Sequence, residues 1–348
     1  MPDESEPSTQ CLLTSEVPAD QHAHQPHTAN KQFTTIITLV VYCGLILIGV
    51  AHHEPWADEA HAWVLSRDLS YRYLVFHQLA YEGHPPLWGT ILWVANHWLH
   101  LPYGALGWIG ALCAIAGCWF FCWYSPFPAW IRLLFPFTYF MAYQYAIVAR
   151  PYVLLPLFSF AAAHFFGEAD RHPWRFVGAV SGLSLLCASG VMMSVGLMAA
   201  RVWYALRSWN EVPRNMRKQL IAATLAFAIV LIFIAFVNWP PADRTNVQSV
   251  RSADETTYGL KFVPRNISIA FLGSGVLSAA FLVGVGVWCT CRGRLLSSVL
   301  PLGLAFAFFV KFYGNLWHCG ALTLAVVAAL KESRTTSSMV KTFYAPYP

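Results

Sequence analysis

Two carboxylates stand side by side in Trp56-Ala57-Asp58-Glu59-Ala60-His61-Ala62-Trp63, inside a stretch that is otherwise apolar and aromatic. A carboxylate facing a cavity can take a proton from an attacking hydroxyl or amine. The plainer reading is a helix start, where the helix dipole favours acidic side chains by about 0.3–1 kcal/mol. Neighbouring helical residues point about 100° apart, so Asp58 and Glu59 need not share one task. A second cluster is Tyr81-Glu82-Gly83-His84-Pro85-Pro86-Leu87-Trp88. Gly83 permits a tight turn, and the two prolines stiffen the backbone after it and start a helix. Such a turn could aim Glu82 or His84 into a cavity, or simply begin a helix beside an incidental histidine.

A third cluster, Tyr143-Gln144-Tyr145-Ala146-Ile147-Val148-Ala149-Arg150-Pro151-Tyr152, places Arg150 in a long apolar region. A cation at the centre of a membrane span costs about 2.5–3.5 kcal/mol, so Arg150 should lie near an end or find a partner. Snorkelling to headgroups satisfies it without function. A guanidinium also matches phosphate geometry, so a lipid phosphate is the functional alternative. The fourth cluster, Lys311-Phe312-Tyr313-Gly314-Asn315-Leu316-Trp317-His318, sets a cation, a hydroxyl and an imidazole at one turn. Interfacial anchoring accounts for Tyr313 and Trp317.

Metal-ligand patterns are weak. His53-Glu54 does not continue to H-E-x-x-H because position 57 is alanine. His52, His53, Asp58 and His61 leave a zinc hydrolase as a third reading, and His22, His24 and His27 belong to a polar tail. Cys289 and Cys291 form C-x-C, not paired C-x-x-C, and the other cysteines fall mostly in apolar segments as packing residues.

The elements that must position these residues are membrane helices. The chain is 57% hydrophobic and 11% charged, against roughly 25% charged in soluble domains. Too little polar surface is left to cover a globule in water. The net charge of +5 fits loop topology, not nucleic-acid binding. Residues 1–32 read as a disordered cytoplasmic tail and 331–348 as a C-terminal tail, flanking an all-α polytopic domain at 33–330. Spans are expected at 33–51, 103–123, 128–147, 152–167, 219–237, 266–288, 295–312 and 314–330. The stretch 176–207 would make a helix of about 48 Å, too long for an ~30 Å core, and should split near Gly190 into two, about ten spans in all. Residues 52–100 form a structured first extracytoplasmic loop of interfacial helices, since Trp and Tyr favour that depth. Its last piece, 86–99, suits an interfacial helix. Arg201, Arg207, Arg214, Arg217, Lys218, Arg292 and Arg294 mark cytoplasmic loops, which puts the N-terminus inside and the 52–100 loop outside. Rossmann and P-loop glycine signatures are absent.

Taken in order, W-x-D-E-A-x-A-W, E-G-H-P-P-L-W, Y-x-Y-x-x-x-A-R-P-Y and a late W-H-C-G resemble the GT-C membrane glycosyltransferases, in particular the bacterial branch of the protein-mannosyltransferase and aminoarabinose-transferase superfamily. The resemblance covers most of residues 33–330. It implies a bacterial plasma-membrane enzyme that moves a sugar from a polyprenyl-phosphate donor to a lipid, glycan or protein acceptor on the extracytoplasmic face. It places the essential acid of the first outer loop at Asp58, with Glu59 beside it, as the catalytic pair and Asp58 as the candidate base. It implies substrate binding by Glu82, His84, Arg150, Tyr152, Lys311 and His318. Relatives with A-R-P-D carry a second acid where this chain has Tyr152. A divalent ion held by Glu59, Glu82 or His84 is an option that the sequence leaves open. An ordinary Asp, with a pKa of about 3.9, is a weak base that partial burial would strengthen. The leaving phosphate needs cations, Arg150 first and then Lys311 and His318. The alternative function is a membrane transporter or lipid flippase, which would place its charges within spans and show inverted repeats.

Overall fold

The computed structural model describes residues 25–241, 264–271, 273–293, 295–312 and 319–330, without side chains at 25–31, 211 and 308–312. Among the described residues every regular element is helical. Helix α1 (Gln25–Ala51) carries the apolar run expected at 33–51. The 52–100 region follows as α2 (Ala57–Asp68), α3 (Tyr71–Tyr73), a π turn (Leu74–Gln78), α4 (Leu79–Glu82) and α5 (Leu87–His97). Next come α6 (Ala105–Tyr124), α7 (Ala129–Leu134), α8 (Leu155–Phe166), α9 (Pro173–Ser184), α10 (Ala188–Arg207) and α11 (Arg214–Val237). The described part ends with α12 (Pro264–Ala270), α13 (Gly275–Cys291), α14 (Leu295–Phe312) and α15 (Cys319–Leu330).

Among the described residues four helices are long and apolar enough to cross a membrane: Gln32–Ala51 within α1, α6, α10 and α11. The pair α12 and α13, bent by 71°, makes a fifth if it counts as one broken span. Pro151–Phe166, Leu295–Ala307 and Cys319–Leu330 are apolar but shorter. One side of α1 leaves Phe33, Ile36, Val40 and Ile48 exposed, and α11 likewise exposes Ile229, Ile232 and Phe236.

The helix expected over 128–147 does not form. The chain there passes through α7, a 3-10 turn (Phe135–Phe137), a π turn (Phe140–Gln144) and irregular backbone to Arg150. Proline is the cause at the start: Pro126, Pro128 and Pro136 each remove a backbone donor and fix φ. The broken segment runs alongside α1 in the same direction. Arg132 donates to Thr35 Oγ1 at 3.3 Å, Tyr42 donates to the Met141 carbonyl at 2.6 Å, and Ile147 sits on Gly49. The contact is close: a Cβ on Gly49 would fall 2.3 Å from Ile147 Cδ1, so the isoleucine side chain would have to move. Irregular backbone at this depth survives where protein covers it, and Tyr145, Ala146, Val148 and Ala149 are fully buried.

The expected division of 176–207 is present but earlier than Gly190, at 185–187, where Cys187 is extended. Gly190 serves the break from beside it: a Cβ there would lie 2.2 Å from the Leu183 carbonyl oxygen. The break has a positional consequence. The Leu185 carbonyl accepts from Leu87 N–H at 3.0 Å, so it caps the start of α5 and anchors the His84-Pro85-Pro86 turn to the bundle. Another buried cation, Arg201 on α10, meets Asp170 in the α8–α9 connection.

The helices of the 52–100 region pack on one another and on the end of α11. Asn96 donates to the buried Ser66 Oγ at 3.0 Å and Trp93 Nε1 to the Leu69 carbonyl at 3.1 Å, which ties α5 to α2. Leu74, Val75 and Leu79 pack with Val237 of α11, and the Phe76 ring meets Phe233 and Phe236 edge-on. The 52–100 region is therefore a folded cap on one end of the helices.

Candidate functional site

A cleft of about 810 Å³, its part open to solvent included, lies between this cap and the 149–151 segment. One face of α2 supplies Asp58, His61, Ala62 and Leu65, at the i, i+3, i+4, i+7 spacing that puts side chains in one row. Glu82, His84, Pro85, Trp88 and Gly89 line it from α4, the turn and α5, and Ala149, Arg150 and Pro151 from the bundle. Leu74 and Leu79 add an apolar wall.

Asp58 and Arg150, 92 positions apart in sequence, meet here. Arg150 Nη2 lies 2.9 Å from Asp58 Oδ2. The arginine side chain is 11% exposed and the aspartate 60%, so the pair is rooted in protein at one end and open to water at the other. Arg150 is extended because Pro151 follows it, and its guanidinium rests over the Tyr152 ring, 5.7 Å from the centroid. Tyr152 itself is buried behind Arg150 against Tyr145 and does not line the cleft.

Glu59, expected beside Asp58 in the catalytic pair, does not line the cleft either. Its side chain is 1% exposed and accepts three hydrogen bonds. Trp56 N–H donates to Oε2 at 2.8 Å, His53 Nε2 to Oε2 at 2.9 Å, and Ala149 N–H to Oε1 at 2.6 Å. The first of these is the returning half of a capping box. The 100° step between adjacent helical residues thus sends Asp58 to the cleft and Glu59 to the interior.

Glu82 accepts from Gln78 Nε2 at 3.3 Å and pairs with His61 Nε2 at 3.1 Å on the cleft wall. Gly83 adopts φ 69°, the left-handed conformation that ends α4 and turns the chain into His84. His84 Nδ1 lies 3.0 Å from the Glu82 carbonyl oxygen. A carbonyl only accepts, so Nδ1 carries the proton and Nε2 of the neutral ring is an acceptor. Burial, and then the positive Arg150 nearby, push the imidazole below its usual 6.5, against the opposing pull of Glu82 and Asp58. His84 therefore enters the cleft as a neutral group at pH 7.

Sequence reasoning overlooked two lining residues as such. His61 was legible as the i+3 neighbour of Asp58. Trp88 also lines the cleft, and its buried indole N–H has no hydrogen-bond partner among the described residues. The Lys311 side chain and His318 lie outside the described residues. His52, His53, Asp58 and His61 do not converge: His52 is held by the Ile48 carbonyl at 2.8 Å, and the other three have the separate partners given above. Among the described residues no group of three His, Cys, Asp or Glu side chains could hold a metal ion.

No protein-family model, curated protein or solved structure matches this chain.

Proposed function

We propose that the chain is a membrane-embedded glycosyltransferase that moves a sugar from a polyprenyl phosphate to an acceptor hydroxyl or amine in the cleft. The observation that carries this reading is the Asp58–Arg150 pair at 2.9 Å in a half-open cleft at one end of the apolar helices. A base and a phosphate-binding cation are the two groups that the transfer needs, and they stand in contact.

The donor's isoprenoid tail stays in lipid, against faces such as those of Phe33, Val40 and Ile229, and its phosphate meets Arg150 at the interface. Binding the phosphate draws the guanidinium away from Asp58 and frees the carboxylate. The acceptor oxygen or nitrogen attacks the anomeric carbon and gives its proton to Asp58. The bond from that carbon to the phosphate oxygen breaks, and the phosphate leaves with the electron pair, stabilised by Arg150. One displacement inverts the anomeric configuration. Neutral His84 and the Glu82–His61 pair offer hydrogen-bond partners to sugar hydroxyls on the facing wall. Leu65, Leu74 and Leu79 keep that wall dry.

The same reading takes the cap as extracytoplasmic, the N-terminus as cytoplasmic and the membrane as a bacterial plasma membrane. It counts about ten crossings, with the broken 128–147 segment and the shorter apolar helices among them. The test incubates membranes containing the chain with a panel of polyprenyl-phosphate sugars. Consumption of one donor, abolished by Arg150→Ala, supports the proposal. A correctly inserted wild-type chain that consumes none refutes it.

A further inference from the structure

Glu59 binds nothing in the cleft, yet it is the most heavily engaged carboxylate among the described residues. Helix capping explains one of its three bonds, the one from Trp56 N–H at 2.8 Å. It does not explain the other two. Ala149 N–H reaches Glu59 Oε1 at 2.6 Å across 90 positions of sequence, and His53 Nε2 reaches Oε2 at 2.9 Å from the end of α1. Glu59 follows Asp58 directly, and Ala149 precedes Arg150 directly. The Glu59–Ala149 bond therefore lies one residue from the Asp58–Arg150 pair on both chain segments.

We infer that Glu59, held by His53, is a positioning residue that fixes the first turn of α2 against Ala149 and so sets the distance between Asp58 and Arg150. Its action on the site passes through the ion pair. The segment it fastens is the one that most needs a fastener. Residues 145–150 have no helix of their own to set their place, and Arg150 is extended. Irregular backbone has many alternatives close in energy, and a buried charge-assisted bond to one amide selects among them. His53 stiffens the carboxylate in turn: its ring packs edge-on against Tyr143, 6.4 Å between centroids, so α1, α2 and the 143–150 segment meet at one carboxylate.

The inference is independent of the cleft's ligand in one arm of its test and rests on the polyprenyl-phosphate reading in the other. In the first arm, the full chain in lipid nanodiscs is followed by hydrogen–deuterium exchange. Glu59→Gln should speed exchange of the 146–150 amides by about tenfold, while α6 peptides keep their rate. Unchanged exchange at 146–150 overturns the inference, whatever the protein transfers. In the second arm, decaprenyl phosphate binding is measured for wild type, Glu59→Gln, Arg150→Ala and the double variant. Glu59→Gln should weaken binding by about tenfold alone and by less than about twofold on top of Arg150→Ala, because a residue that acts through a partner is silent once that partner is gone. Full additivity makes Glu59 an independent structural support and overturns the positioning role. If wild type does not bind decaprenyl phosphate, the donor reading fails and the exchange arm decides the strut by itself. Should Glu59→Gln not assemble, His53→Ala carries the same comparison, with a smaller acceleration expected because the Ala149 bond is kept.

Discussion

Removing the two ends of the Asp58–Arg150 pair should have unequal effects on stability. At about 4 Å two unit charges interact by about 1 kcal/mol in water and about 4 kcal/mol at an effective dielectric constant near 20. Asp58 is 60% exposed, so the screened limit applies, and the pair contributes about 1 kcal/mol or less. The Arg150 side chain is only 11% exposed. Asp58→Asn takes from its guanidinium the counter-charge that Asp58 supplies in a partly desolvated place. That raises the cost to about 2 kcal/mol, short of the 3–5 kcal/mol for breaking a fully buried pair. Arg150→Met leaves Asp58 to water, fills the space with apolar side chain and gives up the contact with Tyr152, at a cost of about 0.5–1 kcal/mol. Melting followed by tryptophan fluorescence in nanodiscs should place the Asp58→Asn midpoint about 1–2 °C below that of Arg150→Met. An Arg150→Met variant as unstable as Asp58→Asn, or more so, would refute the claim that the arginine is the rooted end.

His84 predicts a pH effect of definite sign. Its folded value lies below the unfolded 6.5, so just below that pH the unfolded chain takes up a proton that the native chain refuses. Its contribution to stability is complete above about pH 6.5 and declines as the pH falls below it. Melting at pH 7.5 and 5.5 should therefore show a larger drop for wild type than for His84→Gln, and equal drops would count against the buried neutral ring. Gly83→Ala should cost about 1 kcal/mol by thermal melting, because φ 69° suits only glycine there; a neutral result would mean that the turn relaxes. Ser66→Ala removes the acceptor of Asn96 Nδ2 at 3.0 Å and should cost about 1 kcal/mol. Proteolysis should then nick the α2–α5 cap sooner than the helices, and unchanged protection would show that this contact does not hold the cap.

Much of the helical layout was legible because apolar runs and their lengths dictate it. The runs at 33–51, 103–123 and 219–237 became α1, α6 and α11. The 128–147 run misled for a physical reason. Hydropathy registers apolar side chains whether they are exposed, as Trp130 and Leu134 are, or buried, as at 145–147, and it does not register that Pro128 and Pro136 break the helix. In the site, the separation of Asp58 from Glu59 followed from helical geometry, and the need of Arg150 for a partner followed from its apolar surroundings. That Asp58 is that partner could not be read from a single chain, since 92 residues separate them and no local period links the two. The Glu59–Ala149 bond was equally invisible, because its donor is a backbone amide and leaves no mark on residue type.

The most direct test of the account is a donor-consumption assay. Nanodiscs holding wild type, Asp58→Asn or Arg150→Ala are given a panel of polyprenyl-phosphate sugars, and released polyprenyl phosphate is quantified by mass spectrometry. Wild type should turn over at least one donor, and each variant should be slower by about 100-fold or more if base and phosphate partner are rightly placed. Release by either variant at the wild-type rate, or no release by a correctly inserted wild type, would contradict it.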